Sequence, residues 1–375
     1  MSKKYELTGM LGRGSSSKVY LSTNTQTGKN FAIKKIDLST TQIEEKHLKR
    51  EIDCLIQFKN HNNIVKLEEW FYEDNFLYIV QEYCNGGSLK NFLKRANNIP
   101  DNLKMFWIND IAQSIKLLHD NGWVHRDIKS DNFLLNSLDI KLCDFGLSRK
   151  TNENEYDYTI CGTPLYMSPD LLNNNFSGQK DDIWSFGVLC YEIISGKLPF
   201  QAKDFKGLVV LLNEEIDYTK FSEPAANFLR KALEKDPRKR ATIHDLIQDD
   251  FITSFFIGII NQVIKLLKYC DNSDDLFYIR LKLVLCYFIK FELRDKNCDS
   301  KTSQHDIDQL YYDNIIKNLL EMLNSNFNQD LYEQCLCDLQ DEIKNVAIHN
   351  PYRASLLLYV YKSLNRPIFK KQHVN

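Results

Sequence analysis

Long uninterrupted apolar runs are missing from this 375-residue chain. Its most apolar stretch, Phe251 to Leu267, is broken by Ser254, Asn261, Gln262 and Lys265, so it reads as a buried helix and not as a membrane span. No apolar core of signal-peptide length follows Met1-Ser2-Lys3-Lys4-Tyr5, and Ser2 is incompatible with glycine-dependent myristoylation. An excess of one charge is also absent: the net charge of −2 implies no bulk attraction to nucleic acid or to an anionic membrane. The ten cysteines lack a framework spacing. Cys335-Leu336-Cys337 is the one close pair, without a second Cys or His pair at zinc-site spacing, so structural thiols in a reducing cytoplasm are expected.

What is present suits a large, soluble core in more than one domain, with 43% hydrophobic and 26% charged residues. The chemistry is densest at His125-Arg126-Asp127-Ile128-Lys129-Ser130-Asp131-Asn132. A carboxylate, an ammonium and an amide fall between Asp127 and Asn132, and a short rigid loop can aim all three at one point. Asp127 can accept a hydroxyl proton, Lys129 can neutralise a phosphate, and the Asn132 carbonyl oxygen suits a hard cation such as Mg²⁺.

Other segments supply matching parts. Gly12 and Gly14 lie between β-patterned ends, which predicts a hairpin whose amides approach phosphates closely, with Ser17 where a third glycine would stand. Lys34 ends the β-rich Phe31-Ala32-Ile33-Lys34, where a buried ammonium needs a partner. A helix predicted over Gln42 to Phe58 carries Leu48, Ile52, Leu55 and Ile56 on one face, with Glu51 beside that stripe. Leu77 to Val80 reads as a buried strand. The Asn85-Gly86-Gly87 turn then opens a helix capped by Ser88. Leu103 to His119 has helical periodicity, and Leu138 to Cys143 alternates as a strand before Asp144-Phe145-Gly146, where Gly146 is expected to permit the turn. Lys180 onward begins an apolar helix in which Asp182 reads as an N-cap on local grounds.

These motifs resemble those of eukaryotic protein kinases, in order, from Tyr5 to Thr253. The catalytic loop H-R-D-x-x-x-x-N is Asp127 to Asn132 with its two preceding residues, and D-F-G is Asp144 to Gly146. The resemblance implies an α+β, bilobal fold with a β-rich N-lobe and a helical C-lobe. It implies an ATP- and Mg²⁺-dependent enzyme that phosphorylates protein Ser or Thr hydroxyls in signalling. Lys34 would hold phosphates and pair with Glu51, which otherwise reads as a surface charge. Asp127 and Lys129 would act at the acceptor and γ-phosphate, and Asn132 and Asp144 would hold Mg²⁺. Leu11, Gly12, Gly14, Val19, Ala32, Gln81, Glu82, Cys84 and Leu134 would complete the nucleotide site, Gln81 as gatekeeper and Glu82 and Cys84 through their backbones. Asp182 would hold the catalytic-loop backbone from below.

Lys129 and Gly162-Thr163 look like the Ser/Thr branch, and Leu147 after D-F-G goes with a serine preference. Asp131 and Glu192 occupy positions that pair basic substrate residues in some kinases. Ser168-Pro169-Asp170 departs from Ala-Pro-Glu, leaving Asp170 one methylene short in its pairing with Arg240. Thr159 is the expected activating phosphosite, with Arg126 as an unpaired cation awaiting its phosphate. Subfamily features point in several directions, toward autophagy-initiating, polo-like or NIMA-related kinases.

Beyond Thr253 the motifs stop. Residues 254–375 carry apolar stripes at Ile279 to Leu293, Ile307 to Leu323, Leu331 to Val346 and Ala354 to Leu364, which predict a small α-helical bundle. An adaptor at that bundle and an upstream kinase are the expected partners besides the protein substrate. A scaffold that binds partners and transfers nothing is the second reading. Lys34, Glu51, Asp127, Asn132 and Asp144 occurring together speak for the enzyme.

Overall fold

The computed structural model describes residues 4–14, 17–39, 45–96, 99, 101–136, 139–151, 163–173, 175–202 and 204–255. The expected bundle over 254–375 and the segment bearing Thr159 lie outside the described residues, apart from 254 and 255.

The N-terminal lobe is a five-stranded antiparallel sheet of β1 (Tyr5–Arg13), β2 (Ser17–Asn24), β3 (Asn30–Asp37), β4 (Leu67–Glu73) and β5 (Phe76–Glu82), ordered β1-β2-β3-β5-β4. Strand β5 lies between two neighbours and buries Leu77 through Gln81 without a break, so its sequence from Leu77 to Val80 is continuously apolar instead of alternating. It is joined to β4 by Asp74 and Asn75, both at positive φ (48° and 61°), the left-handed pair that a two-residue hairpin needs. Although β1 and β4 are opposite edges, the Tyr5 hydroxyl and Lys4 ammonium both donate to Glu69 on β4. The sheet's twist has curled its edges together. Beneath this link Tyr5, Phe31, Ile33, Tyr78 and Val80 form one buried cluster.

Helix α1 (Glu45–Gln57) buries Leu48, Glu51, Ile52 and Leu55, an i, i+3, i+4, i+7 stripe. The expected stripe had Ile56 inside it and Glu51 beside it. Ile56 is instead 43% exposed, and Glu51, 2% exposed, is part of the buried face.

The second lobe is mainly helical. After β6 (Gly87–Ser88) come α2 (Leu89–Arg95), α3 (Asp101–Asp120), β7 (Trp123–Val124), β8 (Phe133–Asn136), β9 (Asp139–Leu142) and β10 (Arg149–Lys150). Helices α4 (Pro169–Leu172), α5 (Gln179–Ser195), α6 (Phe205–Asn213), α7 (Glu223–Ala232) and α8 (Ile243–Ile247) follow. Ser88 caps α2 by accepting from the Asn91 N–H. Central α5 packs on α3 and α7 and is buried almost all round, from Ile183 to Ile193. A side chain at Gly187 would place its Cβ 2.8 Å from Leu233 and 2.9 Å from Ala232, so only glycine admits that approach.

Arg240 is 1% exposed and organises the base of this lobe. Its Nη2 donates to Asp170 Oδ2 at 2.8 Å, its Nη1 to the Lys180 carbonyl and its Nε to the Glu234 carbonyl. The shorter Asp170 therefore reaches across. Next to it Ser168 caps α4 and donates its hydroxyl to Asp181, which also accepts from the Ser177 N–H. Burial pushes the Asp181 carboxyl up to about 6, from an ordinary 3.8, against the pull of those hydrogen bonds. A raised carboxyl favours the folded state only while protonated. Stability from this group is full below pH ~4 and is lost as pH rises to about 6. Asp181→Asn is expected to flatten that limb and to stabilise the protein at pH 8, by at most ~3 kcal/mol. Urea midpoints at pH 5 and pH 8 measure it, and an unchanged difference between the two pH values counts against it.

Candidate active site

The site is assembled from backbone turns that the local sequence permits. Gly14 N–H donates to the Ser17 carbonyl at 2.8 Å and closes the β1–β2 hairpin. Pairing of β2, β3 and β5 sets Val19 opposite Lys34 and Ala32 opposite Gln81. Gln81, at 9%, and Cys84, at 6%, are both buried. The Glu82 side chain accepts from the Lys66 N–H and pairs with Lys141, so it is committed within the protein. Leu134, on β8, pairs with Ser88 and Lys141. Leu11 is 46% exposed on β1.

Lys34 gathers two carboxylates from distant parts of the chain. Its Nζ lies 2.6 Å from Glu51 Oε1 and 2.9 Å from Asp144 Oδ1. Burial works against its charge, but Glu51 and Asp144 outweigh it and hold the ammonium protonated. Burial raises the Glu51 carboxyl despite Lys34, while the charge of Lys34 lowers Asp144 to about 2. Asp144 is thus an anion throughout the physiological range. It also carries the strained backbone of this turn: its φ is 61°, whereas Gly146 is absent from the positive-φ glycines. The turn expected at Gly146 is taken by Asp144, and a Cβ on Gly146 would meet only ordinary contacts of 3.5 Å.

The catalytic loop is held from beneath. Asp182, 1% exposed, accepts from the His125 and Arg126 N–H groups at 2.8 Å each and from His119 Nε2 at 2.9 Å. Burial pushes its carboxyl up, but the His119 hydrogen bond and the surrounding charges bring it below the usual carboxylate range. The N-cap of α5 is Gly178, so Asp182 is no cap. His125 packs edge-on against Phe145, 5.3 Å between ring centroids. Arg126 adopts φ 70° and lies over the Phe176 ring at 5.4 Å. The expectation of a partnerless cation is therefore corrected: an aromatic face meets it.

Asp127 is fixed from three sides. Lys129 Nζ reaches its Oδ2 at 2.6 Å, and Asn132 Nδ2 donates to that oxygen at 2.9 Å and to the Asp127 carbonyl at 2.8 Å. Lys129 also donates to the Thr163 hydroxyl at 2.8 Å, and that hydroxyl lies 3.4 Å from Asp127 Oδ1. A hydroxyl is thereby already seated between a carboxylate and an ammonium. With its amide hydrogens committed to Asp127, Asn132 offers its Oδ1. The Cys143 N–H donates to the Asn132 carbonyl at 2.9 Å and keeps Asp144 beside it. One carboxylate and one amide oxygen are hard donors that fit Mg²⁺, and Asn132 and Asp144 are the residues that would hold it.

Sequence reasoning missed several contributors. His119 supports Asp182, Ser168 and Asp181 lock the segment after Thr163, and Lys90 pairs with Asp131 at 2.8 Å. The Ser-Pro-Asp departure marks Ser168; nothing local marks Lys90.

The fold and site are those of a two-lobed kinase domain. A family model described as protein kinase domain matches residues 5–252, and the chain belongs to that family. Among curated relatives, the chain is 34% identical over 262 residues to calcium-dependent protein kinase 14 of Arabidopsis thaliana, covering 67% of this chain and 49% of that one. It is 36% identical over 250 residues to serine/threonine-protein kinase kin-29 of Caenorhabditis elegans (65% and 30%). It is 33% identical over 249 residues to NUAK family SNF1-like kinase 1 of Mus musculus (65% and 38%). The matches span less than half of these relatives' own lengths. Among the described residues no helix is long and apolar enough to cross a membrane.

Proposed function

We propose that this chain is a serine/threonine protein kinase that transfers the γ-phosphoryl group of ATP to protein hydroxyls with Mg²⁺. The observation that carries the reading is the closed arrangement at Asp127, where Lys129, Asn132 and the Thr163 hydroxyl surround one carboxylate. Asp127 orients the acceptor hydroxyl and takes its proton. Lys129 balances the charge at the γ-phosphate. Lys34, locked by Glu51, holds the remaining phosphates, and Asn132 and Asp144 are the residues that would hold Mg²⁺, which neutralises charge on the phosphates. Little covalent chemistry falls to the protein, so rate comes from position and electrostatics. A scaffold that transfers nothing has no observation in its favour, because each of these groups is present and paired.

The names of the curated relatives support hydroxyl acceptors of the Ser/Thr type. Leu147, 37% exposed just after Gly146, supports serine over threonine. Regulation by phosphate on Thr159 rests on its place four residues before Thr163 and on Arg126 beside Asp127, a guanidinium that can grip a phosphate bidentately. An upstream kinase, an adaptor at 254–375 and a cytoplasmic location belong to the same reading.

Radiolabelled ATP with matched serine and threonine peptides tests it. Label is expected in the serine peptide first, and none in either peptide with wild-type protein would sink the reading. Thr159→Ala is expected to lower turnover about tenfold, the equivalent of ~1.4 kcal/mol. Mass spectrometry of active and phosphatase-treated protein locates the phosphate, and full turnover of both the variant and the treated enzyme would remove this switch.

A further inference from the structure

The surface next to the acceptor site carries a charge arrangement that the motifs do not announce. Asp131 lies in the short 3₁₀ turn Ser130–Asn132, which ends the catalytic loop. Its neighbours Ser130 and Asn132 are buried, whereas its own side chain is 38% exposed. A substrate whose hydroxyl sits at Asp127 must run its flanking residues over neighbouring surface, and Asp131 is part of it. That carboxylate already has a partner. Lys90, in the first turn of α2, reaches it with Nζ–Oδ2 at 2.8 Å and is itself 36% exposed.

A second carboxylate shares the neighbourhood. Glu192 accepts from the Tyr166 hydroxyl at 2.6 Å, and that hydroxyl also meets Ser130 Oγ at 3.0 Å. Burial raises the Glu192 carboxyl against the hydrogen bonds of Tyr166 and Ser130, with Asp131 adding to the rise and Lys90 opposing it. Lys90 contacts Asp131 directly, and Glu192 is linked to the same 3₁₀ turn through the Tyr166 hydroxyl and Ser130. Ser88, in the same turn of the chain, brings no third carboxylate and spends its hydroxyl on capping α2.

We infer that Lys90 is a specificity-determining residue: its ammonium occupies the acidic patch of Asp131 and Glu192 beside Asp127, so that basic residues flanking the acceptor gain little. This rests on the kinase reading and names its substrate class, Ser peptides with uncharged flanks. It replaces the preference for flanking Arg or Lys that Asp131 and Glu192 suggest when read as free anions. An arginine on the substrate must displace an ammonium that stays tethered nearby, so the exchange is close to neutral. Exposed pairs of this kind are worth little, which makes Lys90 a tunable plug and not a structural pillar.

The test is a serine peptide panel in which a single Arg is walked through the flanking positions. Each peptide is assayed as kcat/KM relative to its alanine parent, with wild type, Lys90→Met and Lys90→Arg. Wild type and Lys90→Arg are expected to stay within about twofold of the parent, and Lys90→Met to favour one Arg position about fivefold, the range of an exposed ion pair. An Arg preference already present in wild type, or none gained in Lys90→Met, overturns the inference. Calorimetric binding of the same peptides to Asp127→Asn protein, with and without Lys90→Met, reads the same discrimination without turnover. Selective Arg binding confined to the double variant supports the role of Lys90 even if no phosphate is transferred, and in that case the kinase reading alone fails.

Discussion

Lys34→Met is expected to lose phosphotransfer by a factor on the order of 10²–10³ or more, the scale of removing one preorganised charge from a reacting phosphate. The same change should also destabilise the protein, and the two effects have separate causes. Glu51, 2% exposed, would keep a buried carboxylate with its ammonium partner gone. Breaking a buried pair from one side costs about 3–5 kcal/mol. Adding Glu51→Gln removes the orphaned charge, so the double variant should regain most of the lost stability and none of the activity. Denaturant midpoints and a radiolabel assay on wild type, single and double variants separate these effects. A single variant with near-normal turnover would remove Lys34 from the chemistry. A double variant no more stable than the single would show that the Lys34–Glu51 pair is not what the helix α1 contact depends on. Because the proposed reading places adenine on the backbones of Glu82 and Cys84, away from Lys34, some nucleotide affinity should survive in both.

Asp182→Ala should be nearly as damaging although its carboxylate touches no reacting group. It strips partners from the His125 and Arg126 N–H groups and from His119 in a fully buried place. A loss of about 3–5 kcal/mol is expected. The catalytic loop then loses its anchor, and a displacement of ~1 Å at Asp127 is enough for about a 10²-fold fall in kcat. The sign of the pH dependence follows from the lowered carboxyl. A depressed pKa gives stability that is present above the ordinary value of 3.8 and is lost as pH falls through the folded value. The wild-type and variant stabilities should therefore converge in acid and stand furthest apart near neutrality. A gap that is constant with pH would mean that charge is not what Asp182 contributes. Asp181→Asn is the neighbouring control, since its carboxyl shifts the other way and its change should stabilise at pH 8.

The contrast between these adjacent aspartates shows what kind of information each level holds. Both read alike in the sequence, as acidic residues at the start of an apolar helix. One is lowered chiefly by the His119 imidazole, and the other is raised by burial in spite of its hydrogen bonds from two serines. The partners of Asp181 lie within a few to thirteen residues, at Ser177 and Ser168, whereas His119 and Asp182 are 63 residues apart. Likewise the Arg240–Asp170 bridge spans 70 residues and tolerates a shorter acid because the backbones around it happen to be close enough.

By itself the sequence determined the identities that chemistry requires and the features with short-range causes. The Ser88 cap, the apolar run of β5, and the order Lys34, Glu51, Asp127, Asn132, Asp144 were legible because each depends on neighbours within a few residues or on the residue type itself. Glu51 stands at i+3 from Leu48 and i−4 from Leu55, so its place on the buried face also has a short-range cause. Only the tertiary structure decided which charges meet. It put Lys90 on Asp131, laid Arg126 over Phe176, and gave the left-handed turn to Asp144 instead of Gly146. The physical reason is range: a side chain's rotamer and a helix cap answer to local backbone. A buried carboxylate's pKa and a surface cation's partner answer instead to elements that only folding brings within a few ångströms.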